Sequence, residues 1–163
     1  MRKFLERYKW GFDFWALILF AMLMLPNIIY WCIPGYSDLG GDGLIDTFAN
    51  ILQVFGVGLL VFLVQKEKAE KKKKYFFDSL FMTVTLLILL YYAAWFIYFF
   101  GTLNTGVILF LAGCPCIALV LFAIERKNYI ALVPLAIFSI LHIISALQLA
   151  IALALIKILS SVK

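Results

Sequence analysis

The chain has 163 residues, 66% of them hydrophobic and 14% charged, with a mean hydropathy of +1.06 and a formal net charge of +5. A soluble domain is about 45–50% apolar. The composition therefore excludes an ordinary water-soluble globule and points to a polytopic membrane protein, one helical bundle with no room for a separate soluble domain. The positive balance does not point to nucleic acid. The basic residues gather at the ends of apolar runs, where they orient helices and meet anionic headgroups, and they form no face interleaved with stacking aromatics.

Arg2, Lys3, Arg7 and Lys9 precede the first apolar run, at about 14–33. That run is longer than the hydrophobic part of a cleavable signal peptide and lacks its small-residue site, so it is expected to remain as the first span. Pro26-Asn27 predicts a kink near its outer end, with neighbouring groups satisfying the backbone that proline frees. Residues 34–43 hold a proline, four glycines and two aspartates but no basic residue, and are expected as an outer loop. Asp38, Asp42 and Gly43 faintly resemble a calcium loop, but the third and twelfth positions are Gly40 and Ala49, which supply no ligand. Asp42 is expected instead as the cap of the second span and Asp46 as a dipole-complementing first-turn residue.

The second span is expected at 44–64, with Asn50, Gln53, Gly56 and Gly58 along it. It leads into 65–74, which holds six lysines against two glutamates. Such a segment cannot rest in hydrocarbon, and short Lys/Arg-rich loops stay cytoplasmic, so it fixes the direction of every other span. Lys66 to Lys74 are expected against anionic headgroups, in a loop that can extend the flanking helices because Lys, Glu and Ala are good helix formers. Asp78-Ser79 is the expected cap of a third span at 80–100, whose Tyr91, Tyr92, Trp95 and Tyr98 are read as an interfacial belt.

A short turn ending at Asn104 opens the fourth span, 105–124, with Asn104 or Thr105 as cap. Residues 125–128 form a second cytoplasmic turn, with Asn128 as the next cap. From Tyr129 the chain is apolar to about Leu159 without a turn cluster. A continuous helix over that stretch is roughly 46 Å long at ~1.5 Å per residue, so a span at 129–150 must tilt or carry a projecting extension to about 159. The N-terminus, the lysine loop and the 125–128 turn hold twelve of the fourteen basic residues. The expected fold is therefore an all-α bundle of five transmembrane helices in a bacterial-type cytoplasmic (plasma) membrane, with the N-terminus cytoplasmic and the C-terminus extracytoplasmic.

No acidic or basic residue lies mid-span, which argues against a proton-driven pump or a charged filter. No phosphate-binding glycine motif, HExxH or GxSxG occurs, so no familiar hydrolase or nucleotide enzyme is expected. The segment Gly113-Cys114-Pro115-Cys116-Ile117-Ala118-Leu119 resembles the transmembrane Cys-Pro-Cys of heavy-metal P-type ATPases, in which both thiolates bind the transported soft metal. Proline can bend a helix so that thiols two apart share a cavity instead of diverging by about 200°, and Cu(I) favours such sulfur ligands. The resemblance covers seven residues and none of the family's phosphorylation and nucleotide domains, so it implies soft-metal or thiol-redox handling and not such a pump. Met22, Met24, Cys114 and His142 fall at similar heights, roughly 12–20 Å from the cytoplasmic ends, and with Cys116 make the candidate metal set. Each also has a plain packing role: cysteine and methionine as core fillers, and His142, with Ser139 and Ser145 near it, as polar glue between helices.

Ala146, Ala150 and Ala154 form a small-residue stripe for close helix approach, within the chain or in a homo- or hetero-oligomer. The leading functional expectation is non-catalytic binding of a small apolar or lipid-like ligand, or of a membrane partner. Asn50, Gln53, Thr83, Thr85 and His142 are the candidate polar groups in an aromatic-rich interior. The competing expectation is Cu(I) or thiol chemistry at Cys114 and Cys116.

Overall fold

The structure, a computed structural model, describes residues 6–33, 43–66, 79–101 and 103–161. Its elements are β1 (Tyr8–Trp10), α1 (Phe14–Cys32), α2 (Leu44–Phe62), β2 (Leu63–Gln65), α3 (Ser79–Phe99), α4 (Thr105–Glu125) and α5 (Tyr129–Ser161). All five helices are long and apolar enough to cross a membrane, as expected of a multi-pass membrane protein. The outer loop at 34–42 and most of the lysine loop, 67–78, lie outside the described residues, as do the expected caps Asp42 and Asp78.

The bundle is a chain of seams: α3 packs on α4, α4 on α5 and α5 on α2, while α1 lies against α2 and α3. α5 is the central element, and its Ala131 and Leu135 are wholly shielded from solvent. α2 approaches α5 closely at Gly56, where a Cβ would fall 2.8 Å from Cγ and Cδ2 of Leu135.

The sequence predicts helix to residue 64, but α2 ends at Phe62 and 63–65 turns into strand, pairing antiparallel with β1 in the register Tyr8↔Gln65, Lys9↔Val64, Trp10↔Leu63. The second span is therefore not extended directly as helix into the lysine loop, and the fold is all-α apart from this ribbon. The cause is the need to satisfy orphan carbonyls at a helix end. Gly11 N donates to Phe62 O (3.1 Å) and Asp13 N to Val61 O (2.8 Å), so the incoming N-terminal segment caps α2.

The ribbon also brings Arg7, Lys66 and Lys127, one described residue from each basic segment, to one end of the bundle. Lys66 N donates to Arg7 O at 3.0 Å, the Tyr8 hydroxyl donates to Lys127 O at 3.1 Å and accepts from Tyr129 N at 3.2 Å. At the same end Asp13 Oδ1 caps α1 by accepting from Trp15 N and Ala16 N, while its Oδ2 pairs with Arg126 Nε at 3.2 Å.

The turn from α4 to α5 closes without the glycine usual at a helix C-terminus. Asn128 N donates to Ala123 O and Lys127 N to Ile124 O, the paired bonds of a Schellman motif, and Lys127 takes φ +52° to make them. Asn128 Oδ1 accepts from Ala131 N at 3.1 Å and Asn104 Oδ1 from Val107 N at 2.9 Å, so both expected caps are formed. The N-cap of α2 is Gly43, not the expected Asp42, and it makes no side-chain hydrogen bond.

α5 is one helix of 33 residues. Beyond Ala150 every described residue except half-buried Leu153 is exposed, so its last turns project from the bundle.

Pro26 has the expected effect on α1, with particular partners. Lacking an N–H, it leaves Met22 O without its helical donor, and the Tyr92 hydroxyl of α3 supplies one at 2.8 Å. Leu23 O, at the same kink, accepts from the Tyr91 hydroxyl at 2.9 Å and from Asn27 Nδ2 at 3.0 Å. Tyr91, Trp95 and Tyr98 are buried, so the expected interfacial belt is in large part an inward-facing cluster recruited to α1. Tyr92→Phe should lower stability by about 1 kcal/mol in the native chain and by little in a Pro26→Ala background, where the backbone N–H at 26 satisfies Met22 O. Thermal unfolding of the four proteins of this cycle in detergent measures the difference.

Candidate functional site

Two seams carry polar chemistry. The first follows α5, where Ser139, His142 and Ser145 recur at three-residue spacing. Each step of three turns the helix by about −60° at ~100° per residue, so the row winds from the α4 side to the α2 side. Ser139, buried, donates to Leu135 O at 2.7 Å and lies against Cys116 of α4. Ser145 donates to Asp46 Oδ1 of α2 at 2.6 Å. Between them His142 stacks on Phe138 with ring centroids 5.3 Å apart, within electrostatic reach of Asp46. Asp46 is thus more than a first-turn residue complementing a dipole: it ties α2 to α5. From sequence alone its partner was obscure, because 99 positions separate it from Ser145. The three-residue spacing of the α5 polar groups was the available signal.

The second seam lies between α1 and α3. Trp95 is surrounded by Tyr30 (centroids 5.7 Å apart), Tyr91 (6.3 Å), Tyr98 (5.5 Å) and Phe99 (5.2 Å). Only 8% of Trp95 is exposed. Its indole nitrogen sits beside the Tyr91 hydroxyl, which donates to Leu23 O and accepts from Asn27 Nδ2 at 2.8 Å. No acceptor meets hydrogen-bond geometry at Trp95 Nε1. A buried indole N–H normally has a partner.

Of the residues singled out as metal ligands, Cys114 and Cys116 are both buried in α4. Met22 is 40% exposed, its side chain on the outer surface of α1, and Met24 is half-buried on the same helix. His142 faces the α2 side. Among the described residues no three His, Cys, Asp or Glu side chains are grouped to hold a metal ion. Of the expected ligand-pocket residues, Asn50, Thr83 and Thr85 are exposed, while Gln53 and His142 are half-buried. Thr85 donates to Phe81 O of its own helix at 2.9 Å. These five do not converge on one interior.

The alanine stripe divides as well: Ala150 is buried in the chain's own bundle, Ala146 is half-buried and Ala154 is exposed. Compared with family models, with curated proteins and with solved structures, the chain finds no match in any of the three.

Proposed function

We propose that this is a multi-pass membrane protein acting by binding, without catalysis, and that its ligand is a small apolar or lipid-like molecule bearing an acceptor oxygen, taken up at the α1–α3 seam. The observation that carries this is the buried Trp95 indole N–H, beside the Tyr91 hydroxyl but without a well-formed hydrogen bond, in an aromatic surround. Apolar walls with a few convergent polar groups are what such ligands require, and an unsatisfied buried donor is costly unless something completes it. α1 is suited to admit a ligand, because its kink is held to α3 through the Tyr91 and Tyr92 hydroxyls, contacts that can open without breaking a helix.

The orientation in this proposal is N-terminus cytoplasmic and C-terminus extracytoplasmic, in a cytoplasmic membrane. The gathering of Arg7, Lys66 and Lys127 at one end supports it, since short basic segments are retained on the cytoplasmic side. Anionic headgroups are the natural counter-charge there. The projecting end of α5 then lies outside, where a second helix can cover it.

Native mass spectrometry of the detergent-purified protein tests the ligand. A bound apolar molecule is expected, and Trp95→Phe, which keeps the ring and deletes the N–H, should weaken its retention by roughly three- to tenfold, the worth of one hydrogen bond. A protein that carries and accepts no such molecule refutes the proposal.

A further inference from the structure

The α2–α5 seam holds the chain's single histidine and, across from it, an acid bonded by Ser145. Ser145 occupies Asp46 Oδ1 at 2.6 Å and leaves Oδ2 for another donor. His142 stands one turn before Ser145 on the same helix, and residues three apart have Cβ atoms about 5–6 Å from each other. The ring is therefore on the part of α5 that meets α2, beyond salt-bridge contact with the carboxylate but within reach of its charge. One side of the imidazole is covered by Phe138, stacked at 26° between planes.

The other elements packed on α5 offer nothing that competes. α2 carries no charged residue but Asp46, α4 none but Glu125 at its far end, and α5 none before Lys157. Among the described residues, the other titratable group close to this row is the Cys116 thiol, which meets Ser139 one turn away. Asp38 and Asp42, of the outer loop, lie outside the described residues.

We propose that Asp46 and His142 form a proton-binding pair built into the α2–α5 seam. The proton adds to the free imidazole nitrogen, and the imidazolium N–H turns to Asp46 Oδ2 while Ser145 keeps Oδ1. A charge between apolar helices is tolerated only when paired, and among the described residues Asp46 is the acid placed to pair with it. Ionisable groups within membrane helices are seldom structural filler. Here proton occupancy sets how firmly the first turn of α2 is held to the centre of the bundle, so external acidity reaches α5.

Because the chain has one histidine, imidazole ¹⁵N spectra of the full-length protein in nanodiscs read His142 alone. The wild-type ring should titrate once. Asp46→Asn, which keeps an acceptor for Ser145, should lower its proton affinity by about tenfold or more, as expected when an opposite charge within ~4–6 Å is removed. Ser145→Ala releases Oδ1 and should raise the affinity. Should Asp46→Asn fail to fold, Ser145→Ala carries the test. Midpoints unchanged by the substitutions, or a wild-type ring that does not titrate between about pH 5 and 8, would overturn the pair.

Discussion

Asn128→Ala should be among the most damaging single substitutions in this protein, lowering stability by about 3 kcal/mol or more. Asn128 is 2% exposed and serves two helices at once. Its Nδ2 donates to Leu59 O at 3.0 Å and Leu63 O at 2.7 Å, at the end of α2. Its Oδ1 caps α5 by accepting from Ala131 N. Losing the cap costs about 1 kcal/mol. Losing both donations strips Leu63 O of its side-chain donor, while Leu59 O keeps the backbone bond from Leu63 N. A buried acceptor without a partner costs about 1–3 kcal/mol.

Two further variants separate these terms. Asn128→Ser restores a cap oxygen but not the reach to α2, so it should recover only the cap's share. Asn128→Asp also keeps the cap, but sets a carboxylate against two carbonyl oxygens and should be as damaging as alanine. Unfolding in detergent gives the totals. Amide exchange should locate the loss, rising at 63–66 in all three variants and at the start of α5 only in Asn128→Ala. If Asn128→Ser matched the native protein, the link to α2 would have no energetic weight.

Asn128 also shows how far the residues could be read without coordinates. Its capping role followed from position, a polar residue between a basic turn and an apolar run. Its bonds to α2, 65 and 69 positions away, did not, because they depend on which helices are neighbours. The five long apolar helices and the single long α5 were legible for a related reason. Each follows from hydrophobic length and charge along the chain, which are local properties.

Facing was not legible. Apolar residues surround every helix, so the pattern carries little information about which side meets protein. Thr85 and Asn50 therefore looked like pocket residues and proved exposed, while Tyr91 and Trp95, read only for their height in the membrane, turn inward against α1. The switch of 63–65 from helix to strand depends on a partner, β1, that arrives from the other end of span one. A three-residue strand after an apolar helix leaves no periodic signal.

Gly56→Ala should lower stability by about 1–3 kcal/mol, while Gly58→Ala, two positions along the same helix, should be neutral or stabilise by up to about 1 kcal/mol. Helix propensity favours alanine equally at both sites, so the difference isolates packing. At Gly58 an added Cβ meets nothing within 4 Å. At Gly56 it meets Leu135 Cγ and Cδ2 at 2.8 Å and the Leu135 backbone nitrogen at 3.3 Å. Leu135 is wholly buried, so its side chain has no free volume to rotate into, and the backbone contact means that α2 and α5 must separate. Leu135→Ala alone should cost about 2–5 kcal/mol through the cavity it leaves. Combined with Gly56→Ala, it removes the atoms that clash, and the added methyl fills part of that cavity. The double variant should therefore be more stable than the sum of the single losses. Strict additivity would mean that the two residues do not touch, and that the close approach of α2 to α5 is set elsewhere along the seam.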